Sequence, residues 1–395
     1  MEKKKVYLDN SATTAVNPDV VKAMQPYFSD IYGNASSFHM FGRESKEALE
    51  NSRKKVATLL NAEPEEIIFT GCGTESDNIA LFGVLNAFGK KGHIITTSVE
   101  HHAVLYACRH LETLGYEVTY LGVDKDGVIS LDEFKKAVKE NTLLVTIMHA
   151  NNEVGSLQPV EEIGEELKKI NQGRKEVIYF HTDAVQTAGK VPLDVKKMGV
   201  DLLSLTAHKF NGPKGCGALY IKKGTNIVSV MYGGHHENAL RPGTENVPGI
   251  VGLAKALEIS VADMSGHDKR ILYLREKLKQ GILDNIAEVT INGSNEKAIS
   301  NILNVSFKYI EGESLLAMLD MKGIAASTGS ACASGEAGAS HVLVAMNADP
   351  LAAQGAIRFS FGYQNTEEEI DYVLDVLPEI VKNLRAMSPV YRADK

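Results

Sequence analysis

The sequence predicts an α/β fold built on a large, mostly parallel seven-stranded sheet, followed by a smaller α+β domain. Three observations carry that expectation. From about Glu65 to Lys223, short β-branched runs alternate with stretches that repeat apolar residues at helical spacing. The residues following these runs are rich in glycine, hydroxyl, imidazole, carboxylate and amine groups, as at strand ends that hold a ligand. After Gly249 the alternation gives way to long helical stretches and a second, smaller set of strands.

Taken in order, the expected strands of the large sheet are 67–70, 93–97, 117–121, 143–148, 177–181, 202–205 and 218–221. Between them, 76–88, 102–114, 131–139 and 160–170 place apolar residues on one helical face. Helical stretches over 250–262 and 268–282 then precede strands near 289–292, 303–307, 324–327 and 357–361. A final amphipathic helix is expected over 367–385. No internal repeat, low-complexity tract or linker rich in Pro, Gly and Ser separates the two parts, so they should pack closely.

With 395 residues and 44% hydrophobic content, the chain can bury a large core. Its 42 Lys and Arg against 50 Asp and Glu leave a formal charge of -8, which argues against a broad footprint for nucleic acid or an anionic membrane. The basic start, Met1-Glu2-Lys3-Lys4-Lys5, meets Asp9 directly after Val6-Tyr7-Leu8, so no signal-peptide core is expected. No segment approaches the apolar length of a membrane span. Cys72, Cys108, Cys216 and Cys332 are widely spaced and include no Cys-x-x-Cys pair, which points to neither a zinc site nor a disulfide framework. A reducing cytoplasm is the expected compartment.

Strand 67–70 runs into Gly71-Cys72-Gly73-Thr74-Glu75-Ser76, a glycine turn opening a helix that offers N–H groups and hydroxyls to a phosphate. A plain βα turn with Thr74 as N-cap reads nearly as well there. Strand 93–97 leads to Glu100-His101-His102, and strand 143–148 to His149-Ala150-Asn151-Asn152-Glu153. A single histidine of this kind is usually structural. Strand 177–181 leads to Asp183-Ala184-Val185-Gln186, where a carboxylate either meets a protonated ring nitrogen or caps the next helix. Strand 202–205 leads to Thr206-Ala207-His208-Lys209-Phe210-Asn211-Gly212-Pro213-Lys214-Gly215, a setting that can hold and desolvate an amine nucleophile. That glycine run precedes a strand and not a helix, so it fits neither a P-loop nor a dinucleotide fingerprint. Together the pieces match the needs of pyridoxal phosphate: a Schiff-base lysine, a carboxylate for the pyridinium nitrogen and a phosphate cradle.

These strand-end motifs, with Tyr7-Leu8-Asp9-Asn10-Ser11-Ala12-Thr13-Thr14, Gly33-Asn34-Ala35-Ser36-Ser37 and Met387-Ser388-Pro389, span almost the whole chain. In them the chain resembles the cysteine desulfurases, pyridoxal-phosphate enzymes of the class V aminotransferase group. The specific resemblance is to the NifS-type branch that supplies sulfur for iron–sulfur clusters. It implies the aspartate aminotransferase-like fold of PLP-dependent transferases (fold type I), with a large cofactor-binding domain over 15–260. Residues 1–14 and 261–395 would form the small domain.

Residue by residue, the resemblance makes Lys209 the lysine that carries the cofactor, Asp183 the pyridinium partner and Gln186 a donor to the phenolic oxygen. His101 would stack on the cofactor ring and carry a proton, while Gly73, Thr74, Thr206 and His208 would hold the phosphate. Asn152 would lie beside cofactor and substrate carboxylate, and Arg358 would bind that carboxylate, a task suited to a bidentate guanidinium. A surface arginine on a strand is the alternative reading of Arg358. Gly233-Gly234-His235-His236-Glu237 and Arg241-Pro242-Gly243-Thr244-Glu245 would lie near a homodimer interface, with Thr244 reaching the cofactor phosphate of the neighbouring subunit.

The most diagnostic segment is Ser327-Thr328-Gly329-Ser330-Ala331-Cys332-Ala333-Ser334-Gly335-Glu336-Ala337-Gly338-Ala339-Ser340-His341. Its small residues and glycines describe a mobile, exposed loop, where a purely structural cysteine would forgo the burial it prefers, so Cys332 is expected to be reactive. Cys72, Cys108 and Cys216 are expected to be buried bystanders. The family often has Pro where Ala339 stands, and housekeeping relatives carry a longer tail after Ser388-Pro389 that contributes to scaffold docking. The implied reaction converts L-cysteine to L-alanine, with the sulfur held as a persulfide on Cys332 and passed to an iron–sulfur scaffold or another acceptor protein. Selenocysteine lyases and aminotransferases share the scaffold and would share Lys209 and Asp183, but the long loop around Cys332 favours desulfuration over transamination.

Overall fold

The computed structural model describes residues 4–328, 339–389 and 391. Its strands are β1 (Val6–Tyr7), β2 (Ile67–Thr70), β3 (His93–Thr97), β4 (Glu117–Leu121), β5 (Thr142–Thr146), β6 (Tyr179–Asp183), β7 (Leu202–Thr206), β8 (Gly217–Ile221), β9 (Val289–Asn292), β10 (Ile302–Phe307), β11 (Ile324–Ala325) and β12 (Ala356–Ser360). Seven of them form one sheet in the order β2-β8-β7-β6-β5-β3-β4. All neighbours in it are parallel except β8, which runs antiparallel to both β7 and β2.

Alternate residues of these strands enter opposite layers, as the two-residue period of a strand requires. Ile67, Phe69, Val145, Leu203 and Leu205 belong to one hydrophobic layer, while Ile68, Leu144 and Leu202 belong to the other. Burial on both faces is why the strands read as continuous apolar runs. The helix Gly73–Phe88 covers one face through Ile79, Leu81, Val84 and Leu85. The helix Val160–Asn171 covers the other through Val160, Ile163 and Leu167.

The 21-residue helix Met40–Leu60 is absent from the expectations drawn from apolar spacing. Its buried face runs through Gly42, Ser45, Leu49, Ser52, Val56, Ala57 and Leu60, so helical spacing is kept but small residues carry more than half of it. Small residues let this helix lie close against Val247–Ala262 and the core beneath.

Several strand ends differ from expectation: β5 ends at Thr146 and not at 148, β11 at Ala325 and not at 327, and β12 at Ser360 and not at 361. β6 starts later and runs two residues further than 177–181, taking in Thr182 and Asp183. Thr206 likewise closes β7 instead of following it. Polar residues are stable there because the ladder and side-chain hydrogen bonds satisfy them. Thr182 donates to Ile147 O at 2.8 Å, and Thr206 donates to Cys216 O at 3.0 Å.

The smaller sheet has the order β12-β10-β9, antiparallel throughout. The amino-terminal strand is built into this part of the molecule: Val6 and Tyr7 pair in parallel with Ile324 and Ala325. Val6 and Leu8 share a core with Leu278, Phe359, Phe361, Ile370 and Leu377. The helix Glu367–Met387 closes that core from a capping box made by Thr366 and Glu369. Among the described residues, no helix is long and apolar enough to cross a membrane.

Candidate active site

A cavity of about 270 Å³ opens at the carboxyl ends of β2, β5, β6 and β7, where a parallel sheet leaves backbone groups and helix N-termini converging on a ligand. It brings together Gly73, Thr74, His101, Asn152, Asp183, Gln186, Thr206, His208, Lys209 and Arg358. These are all the anticipated site residues except Thr244 and Cys332. Thr244 is exposed and does not line this cavity, and Cys332 lies outside the described residues.

Cys72, not Thr74, is the cap residue of the helix that begins at Gly73, so the N-cap reading of Thr74 does not hold. A Cβ on Gly73 would stand 2.8 Å from Val185 Cγ2. Glycine is what lets the helix N-terminus sit against the 183–186 turn. Lys209 stands on the short turn Ala207–Lys209 after β7, and its Nζ donates to Ala12 O at 2.9 Å and to Ser11 O. Gln186 Nε2 donates to the same Ser11 carbonyl at 3.1 Å. His208 Nδ1 lies 3.2 Å from Thr13 Oγ1.

Asp183 ends β6 and accepts a hydrogen bond from Val185 N at 2.8 Å. Burial pushes its carboxyl up to about 6, against the opposing pull of that N–H and of the Lys209 charge. Behind it, burial and the Asp183 charge hold Asp77 well above the usual carboxylate range. Glu100 is pushed up to about 8 by burial. Two acids that resist ionisation leave the negative charge of this wall to Asp183.

His101 caps the helix His102–Thr113, its Nδ1 accepting from Ala103 N at 3.2 Å. Burial first, then the charges of Lys209, His102 and His341, lower its pKa to about 4. The ring is therefore neutral near pH 7, and with Nδ1 accepting, its proton sits on Nε2. Burial likewise lowers His208 to about 4. His149 is a structural residue, bonded through Nδ1 to Thr187 Oγ1 at 3.0 Å.

Arg358 is not a surface residue: it is 4% exposed on β12. Its Nη1 donates to the Asn152 carbonyl at 3.0 Å, and its Nη2 pairs with Asp9 at 2.9 Å. The opposite wall holds groups that sequence reasoning did not assign. His102 stacks on Tyr106 with centroids 4.8 Å apart and lies 4.9 Å from His341. Ser340 donates to the buried carboxylate of Glu153, and His341 Nε2 bonds Glu100 O at 3.0 Å. Ser11 and Ala12 also line the cavity. Their partners, Gln186 and Lys209, lie 175 to 198 residues away in the chain, so no local pattern announces them.

Cys72 lines the cavity and is exposed, contrary to the expectation of a buried bystander, because the helix it caps opens into the cavity. Cys108 and Cys216 are buried, and burial pushes both thiols up to about 12. At pH 8 their thiolate fraction is therefore about one in ten thousand. Brief alkylation of the folded protein at pH 8 is expected to leave both unmodified while labelling Cys72, as peptide mass spectrometry would read. Equal labelling of Cys108 would contradict this assignment.

Among the described residues, no cluster of His, Cys, Asp and Glu is arranged to hold a metal ion. The family model for class-V aminotransferases matches residues 6–373. The chain is 53% identical over 390 residues to a cysteine desulfurase IscS from Methanosarcina thermophila, covering 98% of this chain and 95% of that protein. A solved NifS-like protein superimposes with a TM-score of 0.91 at 44% identity, covering 96% of this chain and all of the other. A structure described as SspA in complex with cysteine aligns at 35% identity with a TM-score of 0.79, covering 90% of this chain and 99% of that one. With a lysine, a buried carboxylate and a glycine-opened helix meeting at the strand ends, the chain belongs to the class-V aminotransferase family, in its NifS-like cysteine desulfurase branch.

Proposed function

We infer that this chain is a cysteine desulfurase that holds pyridoxal 5'-phosphate in the strand-end cavity and converts L-cysteine to L-alanine, retaining the sulfur on Cys332. The observation that carries the reading is the convergence of Lys209, Asp183 and Gly73 on one cavity in a chain 53% identical to a cysteine desulfurase.

The residues present fit the cofactor. Gly73 opens a helix N-terminus onto the cavity, which favours a phosphate. Thr74 and His208 line the cavity beside it, as does Thr206, whose hydroxyl donates to Cys216 O. Asp183 is a buried carboxylate whose charge a protonated ring nitrogen standing opposite would hold. The neutral ring of His101 supplies a flat wall, and Gln186 a side-chain amide donor. When bound, pyridoxal phosphate supplies an electron sink that makes the substrate Cα acidic.

This chain's residues do the rest. Lys209 anchors the cofactor and moves a proton at the substrate Cα. Arg358 takes the substrate carboxylate, with Asn152 beside it. The Cys332 thiolate attacks the substrate sulfur, so that an S–S bond forms as the substrate Cβ–S bond breaks. The remaining carbon skeleton takes up a proton and leaves as alanine, with His101 Nε2–H a proton carrier at the wall. Cys332 follows Ser327 by five residues, and Ser327 is hydrogen-bonded to Arg358 at the cavity edge.

Homodimerisation belongs to the same proposal. Phe38 and Tyr232 are 95% and 92% exposed, and Tyr32, Met40 and Phe41 extend the apolar surface around Phe38. Exposed Thr244 is then available to a neighbouring subunit's phosphate site. Delivery of the persulfide sulfur to an iron–sulfur scaffold or another acceptor in the cytoplasm completes the cycle.

The test is product analysis. With L-cysteine and a reductant, the yellow holoenzyme is expected to release alanine and sulfide one for one. Pyruvate and ammonia in place of alanine would overturn the reading, and a parallel assay with selenocysteine separates a desulfurase from a selenocysteine lyase.

A further inference from the structure

We propose that Asp9 is a positioning residue, holding the Arg358 guanidinium in the orientation that receives the substrate carboxylate. The inference rests on the reading of Arg358 given above and deepens it.

An arginine side chain has four rotatable bonds and five N–H donors, so its use as a fork depends on what fixes it. In Arg358, Nη1 is tied to the Asn152 carbonyl at 3.0 Å and Nη2 to Asp9 Oδ1 at 2.9 Å. Nε is buried and has no hydrogen-bond partner among the described residues. An unmet donor on a buried cation is costly, so the guanidinium depends on its two protein anchors to stay where it lines the cavity. Two protein anchors on a buried cation that lines the cavity describe an arginine set in place before its ligand arrives.

Asp9 can do this because of strand pairing. Leu8 N bonds Ala325 O at 2.8 Å, Ser360 N bonds Leu8 O at 2.7 Å and Asn10 N bonds Ser360 O at 3.2 Å. Asp9 thus sits opposite Ser360, whose neighbour two residues back on the same face of β12 is Arg358. Asp9 does not line the cavity, whereas Arg358 does. Its charge therefore reaches the guanidinium from outside, and orientation outweighs repulsion of the incoming carboxylate. Ser11 and Ala12, on the same strap, accept from Lys209, and Thr14 N bonds His208 O at 3.0 Å. One short segment therefore spaces the carboxylate-binding arginine from the cofactor-bearing lysine.

The experiment uses holoenzyme and a matched pair of ligands: L-alanine, and ethylamine, which is alanine without its carboxylate. Each is titrated against the visible cofactor band. Asp9→Ala is expected to weaken L-alanine binding about tenfold or more while changing ethylamine binding less than about twofold, because only the carboxylate depends on the fork. With L-cysteine, KM should rise more than kcat falls. In the Arg358→Ala background, Asp9→Ala should add no further loss of L-alanine affinity, since it acts through the missing guanidinium.

Wild-type affinity for L-alanine in Asp9→Ala, or losses that multiply in the double variant, would overturn the proposal. If Asp9→Ala fails to fold, Asp9→Leu, which keeps about the same size and removes both acceptor oxygens, is expected to weaken L-alanine alone in the same direction, and an unchanged affinity there also refutes it. Should Arg358→Ala itself spare the preference for L-alanine over ethylamine, the carboxylate reading of Arg358 falls, a different result from loss of Asp9 control alone.

Discussion

Lys209→Ala is expected to lower L-cysteine turnover by at least about a thousandfold, since it removes both the covalent anchor of the cofactor and the amine that moves the Cα proton. The visible band of the holoenzyme should disappear or shift, even where some cofactor stays bound noncovalently at the Gly73 turn. Lys209 is only partly buried, so its replacement removes little core packing. Its Nζ spends its hydrogen bonds on Ser11 and Ala12 carbonyls at the cavity wall. Absorbance spectra and alanine release check both halves of the expectation. Turnover within a few-fold of wild type would remove Lys209 from the mechanism and with it the cofactor assignment.

Cys332→Ala is the second large effect, and it separates two parts of the chemistry. Lys209, Asp183 and Arg358 remain, so the variant should keep its yellow colour and its spectral response to added cysteine. It should lose persulfide formation and sulfide release by about a thousandfold, because no positioned thiolate remains to accept sulfur. Among the described residues, Cys72 is the one thiol that lines the cavity. A Cys72→Ala control is therefore expected to retain the full catalytic cycle. Quantifying bound persulfide by mass spectrometry after a single turnover reads the result directly. If Cys332→Ala makes alanine and sulfide at the wild-type rate, sulfur leaves without a protein nucleophile, and an eliminating lyase becomes the better description.

Much of this site is legible in the sequence because each βα unit writes its own signal. A β-branched run, a glycine or polar turn and a helical repeat are local, and the rule that ligands sit at carboxyl strand ends turns them into a list of facing residues. That is how Gly73, His101, Asp183 and Lys209 could be named together. The helix Met40–Leu60 escaped because Gly42, Ser45 and Ser52 carry its buried face, and a search for apolar spacing passes over them. Cys72 was misplaced in the interior because its exposure depends on the cavity in front of its helix.

By itself the sequence determined the α/β class, the order of the strands along the chain and the chemistry carried at their ends. All of these depend on spacings within a few residues, where backbone geometry dictates which side chains share a face. Only the tertiary structure decided which remote groups meet. It turned β8 antiparallel between β2 and β7, buried Arg358 against Asp9 across 349 residues of chain, and laid the carbonyls of Ser11 and Ala12 on Lys209. It also raised Asp183 and lowered His101, because both shifts come first from burial. Desolvation is a property of the folded whole, set by the apolar area that the two cores bury together, and no short stretch of chain contains it.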